Sequence, residues 1–164
     1  MADTGLSEDL QRQLAMIEPR ITESGVRLCA CSAKLKNGTV LTCVYLVDAA
    51  SFLRLTTFRH PADMHGCKWL SPSGLGSISD SPWRLPAKFA KQLDEAGESG
   101  MGYRVFTVVF SWWRRRVYVQ NVVDFIEYPP GKSAAQVKAV LPHIGERKAG
   151  AKSGPVVHWC VFSS

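Results

Sequence analysis

Apolar residues recur along this chain at two different spacings, and the switches between them mark out its elements. Leu6, Leu10, Leu14 and Ile17 follow helical spacing, with Ser7 placed to cap the start and Pro19 to stop the run, so the pattern predicts a helix over 6–17. Residues 26–35 and 40–47 are strand-like runs around Lys36-Asn37-Gly38-Thr39, and Asn-Gly between such runs signals a hairpin. With Asn37 and Gly38 as the turn pair, Leu35 faces Val40, Ala33 faces Thr42, Cys31 faces Val44, Cys29 faces Leu46, and Arg27 comes opposite Asp48. A slip of one residue would turn that apolar face outward.

Residues 54–82 carry Pro61, Pro72 and Pro82 and read as a long loop with brief strands near 67–70 and 75–78. Pro82 and Pro86 then suit a helix entry, Leu85, Phe89 and Leu93 form one stripe, and Gly97 ends a helix over 86–96. Residues 103–110 are apolar on both sides of the pleat, as in a central strand. Beyond them Arg115, Val117 and Val119 alternate with Arg114, Arg116, Tyr118 and Gln120, which predicts a half-exposed strand with the second set on its polar, cationic face. Residues 121–128 read as a bend and a further strand. Ser133 and Gln136 fit a capping box for a short helix over 133–141, 145–154 reads as a basic linker, and 156–162 as a last strand.

Runs of strand interleaved with three helices predict an α+β fold: a mainly antiparallel, curled sheet of five or six strands, or a partly open barrel, with two or three helices around it. At 164 residues the expectation is a single domain spanning 1–164. No apolar run approaches the ~20 residues of a membrane helix, so membrane insertion is not expected. Five cysteines at irregular spacing argue against a secreted disulfide framework, and the first twenty residues lack signal character; a cytoplasmic location with free thiols is expected. The net charge is +6, and it is uneven: residues 1–25 hold five acids against Arg12 and Arg20, leaving them at −3 and the remainder at +9. A basic body of this kind suits an acidic or anionic partner.

The main candidate for chemistry is Ser111-Trp112-Trp113-Arg114-Arg115-Arg116, which falls where one strand should turn into the next. Hairpin tips favour Gly, Asn or Asp, so two indoles and three guanidinium groups break the local rule, and such violations gather at functional sites. Trp supplies a flat stacking surface and Arg a donor fork for phosphate or carboxylate. The expected binding residues are therefore Trp112, Trp113, Arg114, Arg115, Arg116 and Tyr118. The bland alternative folds both indoles back into the core. The expected function is a non-catalytic binding protein using this aromatic-cationic hairpin against a protein or anionic partner, with a protein partner or a homodimer ahead of nucleic acid. The alternatives are a single-stranded nucleic-acid-binding module and an enzyme of unassigned class with a site near 60–67 and 97–102.

Other motifs fall short of their patterns. His60, Asp63, His65 and Cys67 offer ligand types without the paired spacing of a zinc site, and His143, His158 and Cys160 form a second loose grouping, so no metal and no cofactor is expected. Gly131-Lys132-Ser133 lacks the upstream glycine of a phosphate loop, Ile126 standing there instead, and reads as a turn plus cap. Gly97-Glu98-Ser99-Gly100-Met101-Gly102 has Met101 where a nucleophile elbow needs glycine. An enzyme would have to pair Glu98 or Asp94 with His60, His65 or His143 through the fold.

Overall fold

The computed structural model describes residues 5–55, 68–145 and 152–164. In chain order the elements are α1 (Glu8–Ala15), β1 (Arg20–Ile21), β2 (Arg27–Leu35), β3 (Val40–Asp48), α2 (Ala49–Leu55), β4 (Lys68–Leu70), β5 (Leu75–Ser79), α3 (Ala87–Glu95), β6 (Arg104–Ser111), β7 (Arg114–Gln120), β8 (Ala139–Pro142), β9 (Lys152–Ser153) and β10 (His158–Phe162). The fold is α+β. The expected single antiparallel sheet or barrel is corrected: the strands form two open sheets of mixed direction, because β10 runs parallel to β3 and β4, and β9 runs parallel to β7. Met1–Ser81 with Val156–Ser164 form one compact unit and Pro82–Pro155 another.

The first unit holds a six-stranded sheet ordered β1-β2-β3-β10-β4, with β5 also on β2. The β2–β3 hairpin forms as the Asn-Gly signal requires, but its turn is one residue longer than expected. The Leu35 carbonyl accepts from Gly38 N–H at 2.9 Å, Leu35 N–H donates to the Thr39 carbonyl at 2.8 Å, and Gly38 takes φ 90°. Such a three-residue loop with a left-handed glycine pairs Lys34 with Val40 and Ala33 with Leu41. A β-bulge between Cys31 and Ala33 then absorbs the offset, so Cys31 meets Val44 and Cys29 meets Leu46 as the pattern predicts. Around that bulge the Ser32 hydroxyl donates to the Leu41 carbonyl and the Ser81 hydroxyl to the Thr42 carbonyl.

One face of this sheet buries Cys29, Cys31, Ala33, Val44, Leu46 and Cys160 under Leu6, Leu10 and Ile17 from the α1 region. The Ser7 side chain caps α1 by accepting from Leu10 N–H at 3.3 Å. Tyr45, Phe52, Trp69 and Trp159 form a cluster of rings with centroids 4.5–6.4 Å apart. Phe52 belongs to α2, a helix the hydrophobic pattern did not predict; its seven residues are too few to display a stripe, and Asp48 Oδ1 caps it by accepting from Ala50 N–H at 3.0 Å.

Cys29, Cys31, Cys43 and Cys160 are buried free thiols. Burial pushes Cys160 up to about 12 and Cys43 up to about 11, and raises Cys31 further still with Cys29, Cys160 and Asp80 adding to the effect. Because the thiolate is the reactive form, iodoacetamide at pH 8 is expected to leave these four unlabelled in the folded protein and to label them after unfolding in guanidinium. Peptide mass mapping reads the result, and fast native labelling of any of them would contradict the packing.

In the second unit the sheet order is β8-β6-β7-β9, with β6 central as its two-sided apolar content requires. Phe89, Ala90 and Leu93 of α3, together with Leu85, pack on Phe106, Val108, Phe110, Tyr118, Val137 and Val140. Two expectations are corrected here. The helix over 133–141 is only a 3-10 turn at Ala134–Gln136, with Ser133 N–H donating to Gln136 Oε1 at 2.7 Å, before the chain extends into β8. Val137, Val140 and Pro142 disfavour a helix, and the β6 edge offers a ladder that Lys138 N–H and His143 N–H extend by donating to the carbonyls of Val109 and Val105. Residues 121–128 likewise form no strand beyond a single Arg84–Phe125 bridge. Buried Gln120 holds this segment by donating through Nε2 to the carbonyls of Val122 and Phe125 at 2.7 and 2.6 Å.

Candidate functional site

β6 and β7 pair along their whole length, from Arg104 with Gln120 to Ser111 with Arg114, leaving Trp112 and Trp113 as the two residues of the turn. Both indoles project into solvent, 84% and 82% exposed. Neither takes a positive φ, so the tip is not one of the primed turns that match strand twist in two-residue loops. The register instead shifts between Val109 and Ser111, inserting Phe110 as an extra residue on β6. A bulge at this place increases local twist and re-aims the side chains beyond it.

Arg114 and Arg115 are exposed and Arg116 half-buried. No ion pair among the described residues involves these three or Lys138. Pro82–Pro155 contains twelve Lys and Arg against six Asp and Glu, a net of +6, whereas the rest of the chain has eight of each. The whole excess charge of the protein therefore lies in the unit that carries the indoles.

Tyr118 has to leave the expected binding set. Its side chain is fully buried, stacks on Phe106 at 5.6 Å and 20°, and donates its hydroxyl to the Glu127 carbonyl at 2.8 Å. Burial pushes its phenol up to about 12, with Arg116 opposing and Glu127 adding. The predicted polar face of β7 is in fact the core face, because Tyr118 pairs directly with Phe106 and so points with it toward α3. Val117 and Val119, expected inside, are half-buried on the opposite face.

Beside the tip, Val109, Phe110, Ser111 and Trp112 line an open groove of about 460 Å³ flanked by Arg115 and Lys138. Sequence reading missed Val109, Phe110 and Lys138 as site residues. Phe110 belongs to the core cluster, as its strand pattern indicates, and also touches the groove, and Lys138 falls in a predicted helix that is not there.

The remaining candidates sit elsewhere. His60, Asp63, His65 and Cys67 lie outside the described residues, and with them half of the proposed enzyme site. His143, at φ 59°, accepts at Nδ1 from the Ser99 hydroxyl at 2.9 Å while its Nε2 donates to the Ala96 carbonyl at 2.9 Å. Glu98 accepts from Gly102 N–H at 3.1 Å, and Asp94 meets Arg104 at 3.3 Å. Ser99 also accepts from Val105 N–H at 2.8 Å, so the group ties the end of α3 to the start of β6 and the end of β8. His158 and Cys160 lie on β10, where burial and nearby Lys68 lower the His158 pKa. No cluster of three or more His, Cys, Asp or Glu side chains suited to a metal occurs among the described residues. Gly131, at φ 74°, forms the expected turn, with Lys132 N–H donating to the Pro129 carbonyl at 3.0 Å. Among the described residues, no helix is long and apolar enough to cross a membrane.

Comparison with protein-family models, curated proteins and solved structures gives no match, so the site is read from its own geometry.

Proposed function

We propose that this is a non-catalytic binding protein, acting in the cytoplasm, that docks a protein partner through the β6–β7 tip. The observation that carries the reading is the outward projection of Trp112 and Trp113 beside Arg114 and Arg115. Trp and Arg are the residues that dominate interface energies, because each combines a large contact surface with a polar or charged end. Two neighbouring indoles left in water on a tight turn contribute nothing to the core that would explain them. A second copy of the chain is the simplest protein partner, and mass in solution separates that case from a different protein.

Affinity capture from the source cells tests the proposal, comparing the natural chain with a Trp112→Ala/Trp113→Ala variant. The expected result is a partner retained by the first and lost by the second, with a thermal midpoint unchanged within about 2 °C, since a loss of 1 kcal/mol would move it by about 4–8 °C in a unit of this size. Equal capture by both, or a midpoint lowered by more than that range, would remove the docking role.

The concentration of all net charge in Pro82–Pro155 favours a second reading, a single-stranded nucleic acid with bases stacked on the indoles. With phosphates on Arg114, Arg115, Arg116 and Lys138, log affinity against log salt should fall with a slope of about −3. A flat salt dependence excludes it.

A further inference from the structure

The groove beside Trp112 gives the partner a more definite chemistry. We infer that it receives one bulky apolar side chain of an acidic peptide segment, whose carboxylates on either side meet Arg115 and Lys138. The inference rests on the docking role proposed for the tip and specifies what the tip docks.

Three features of the groove carry it. Its lining is Val109, Phe110 and the Trp112 indole, joined by Ser111, whose buried hydroxyl has no hydrogen-bond partner among the described residues, so the surface is mainly apolar and suits an aliphatic or aromatic side chain. A nucleobase would bring polar edges to a surface with few groups to meet them. The open volume, about 460 Å³, leaves room for one such side chain.

The third feature is where the charges stand. Arg115 pairs with Val109 from one side, and Ala139, the neighbour of Lys138, pairs with Val109 from the other. Arg115 on β7 and Lys138, just before β8, thus line the groove from the two sides of β6, their backbones about 10 Å apart, two strand spacings. In an extended peptide, residues two before and two after an anchor point to the anchor's side and lie about 13 Å from each other. Long Arg and Lys side chains span that difference. The fitting pattern is acid, any residue, Phe or Leu, any residue, acid. Neither cation forms an ion pair among the described residues.

A labelled peptide of the form Glu-Ser-Phe-Ser-Glu within a Gly-Ser frame tests this against the full chain by fluorescence anisotropy. Changing its Phe to Ser should weaken binding about tenfold or more, the loss of one buried aromatic side chain. Arg115→Glu and Lys138→Glu each reverse an exposed charge and should weaken it about fivefold, and a peptide with Lys in place of both Glu should regain binding to the Arg115→Glu/Lys138→Glu chain. Circular dichroism and the thermal midpoint confirm that these variants fold.

If charge reversal leaves peptide binding unchanged, or the peptide does not bind while Trp112→Ala/Trp113→Ala still loses its captured partner, the groove inference falls and the docking role stands. If the double Trp variant keeps its partner, both fall. If a labelled single-stranded oligothymidine binds more tightly than the peptide and the peptide fails to displace it, the partner is nucleic acid and the peptide inference is overturned.

Discussion

Raising the pH from 8 to 11 is expected to strip most of the stability from the unit formed by Met1–Ser81 and Val156–Ser164. Cys160 and Cys43 keep their protons up to about 12 and 11, and Cys31 holds its proton more tightly still, because a buried thiolate has no water and no cation to stabilise it. In the unfolded chain the same thiols ionise near 9. Below that value both states are protonated and the contribution is constant. Above it the unfolded state binds fewer protons than the folded one, so stability falls as pH rises until the folded thiols ionise too.

Each buried thiol costs on the order of 1 kcal/mol per pH unit inside that window. Three such thiols remove several kcal/mol by pH 11, against a total stability of about 5–15 kcal/mol for a typical domain. Urea midpoints measured between pH 8 and 11 give the slope. The variant Cys31→Ala/Cys160→Ala, somewhat less stable at pH 8, should lose less on going to pH 11. Parallel pH profiles for the two chains would show that alkaline loss comes from elsewhere.

Replacing Tyr118 by alanine is expected to cost the second unit about 3–5 kcal/mol, the usual range for removing a fully buried aromatic side chain. The stack on Phe106 and the hydrogen bond to the Glu127 carbonyl go together, and the carbonyl loses that donor. Tyr118→Phe keeps the ring and removes only the hydroxyl, so it should cost about 1 kcal/mol. Amide hydrogen exchange along β6 and β7 measures both changes locally. The contrast with the indoles is the informative part: Trp112→Ala/Trp113→Ala removes more aromatic surface than Tyr118→Ala yet should leave that exchange nearly unchanged. A small effect of Tyr118→Ala would mean that the Phe106 side of β7 is not the core face.

The hairpins were the most legible parts of the fold. Asn-Gly located the β2–β3 turn, and alternation placed Cys31 against Val44, because local turn chemistry and side-chain period depend only on neighbours in sequence. The Trp-Arg tip was legible for the same reason, as a turn composed of residues that turns avoid. Illegible were the elements whose state is set by distant partners. Residues 139–142 could have continued a helix from the Ser133 cap; the open β6 edge made them a strand. The direction of β10 followed from the long return that brings it beside β3, which no local pattern encodes.

The face of β7 shows the same division within one strand. Alternation alone separates Tyr118 and Gln120 from Val117 and Val119, but it does not say which set is inside. Valine looked like the buried choice, and Tyr118 won because its pairing with Phe106 aims it at α3, with its hydroxyl satisfied by a backbone carbonyl.

The order of amino acids by itself therefore determined the α+β class, the turn positions, the basic character and the unusual Trp-Arg tip, since each is a matter of near neighbours and composition. Only the tertiary structure decided that the sheets are two and mixed, that the net charge belongs to Pro82–Pro155, that Tyr118 is core while Trp112 and Trp113 meet solvent, and that Lys138 stands across a groove from Arg115. Those features arise from contacts between residues far apart in the chain, where the burial of one surface is set by which other surface arrives to cover it.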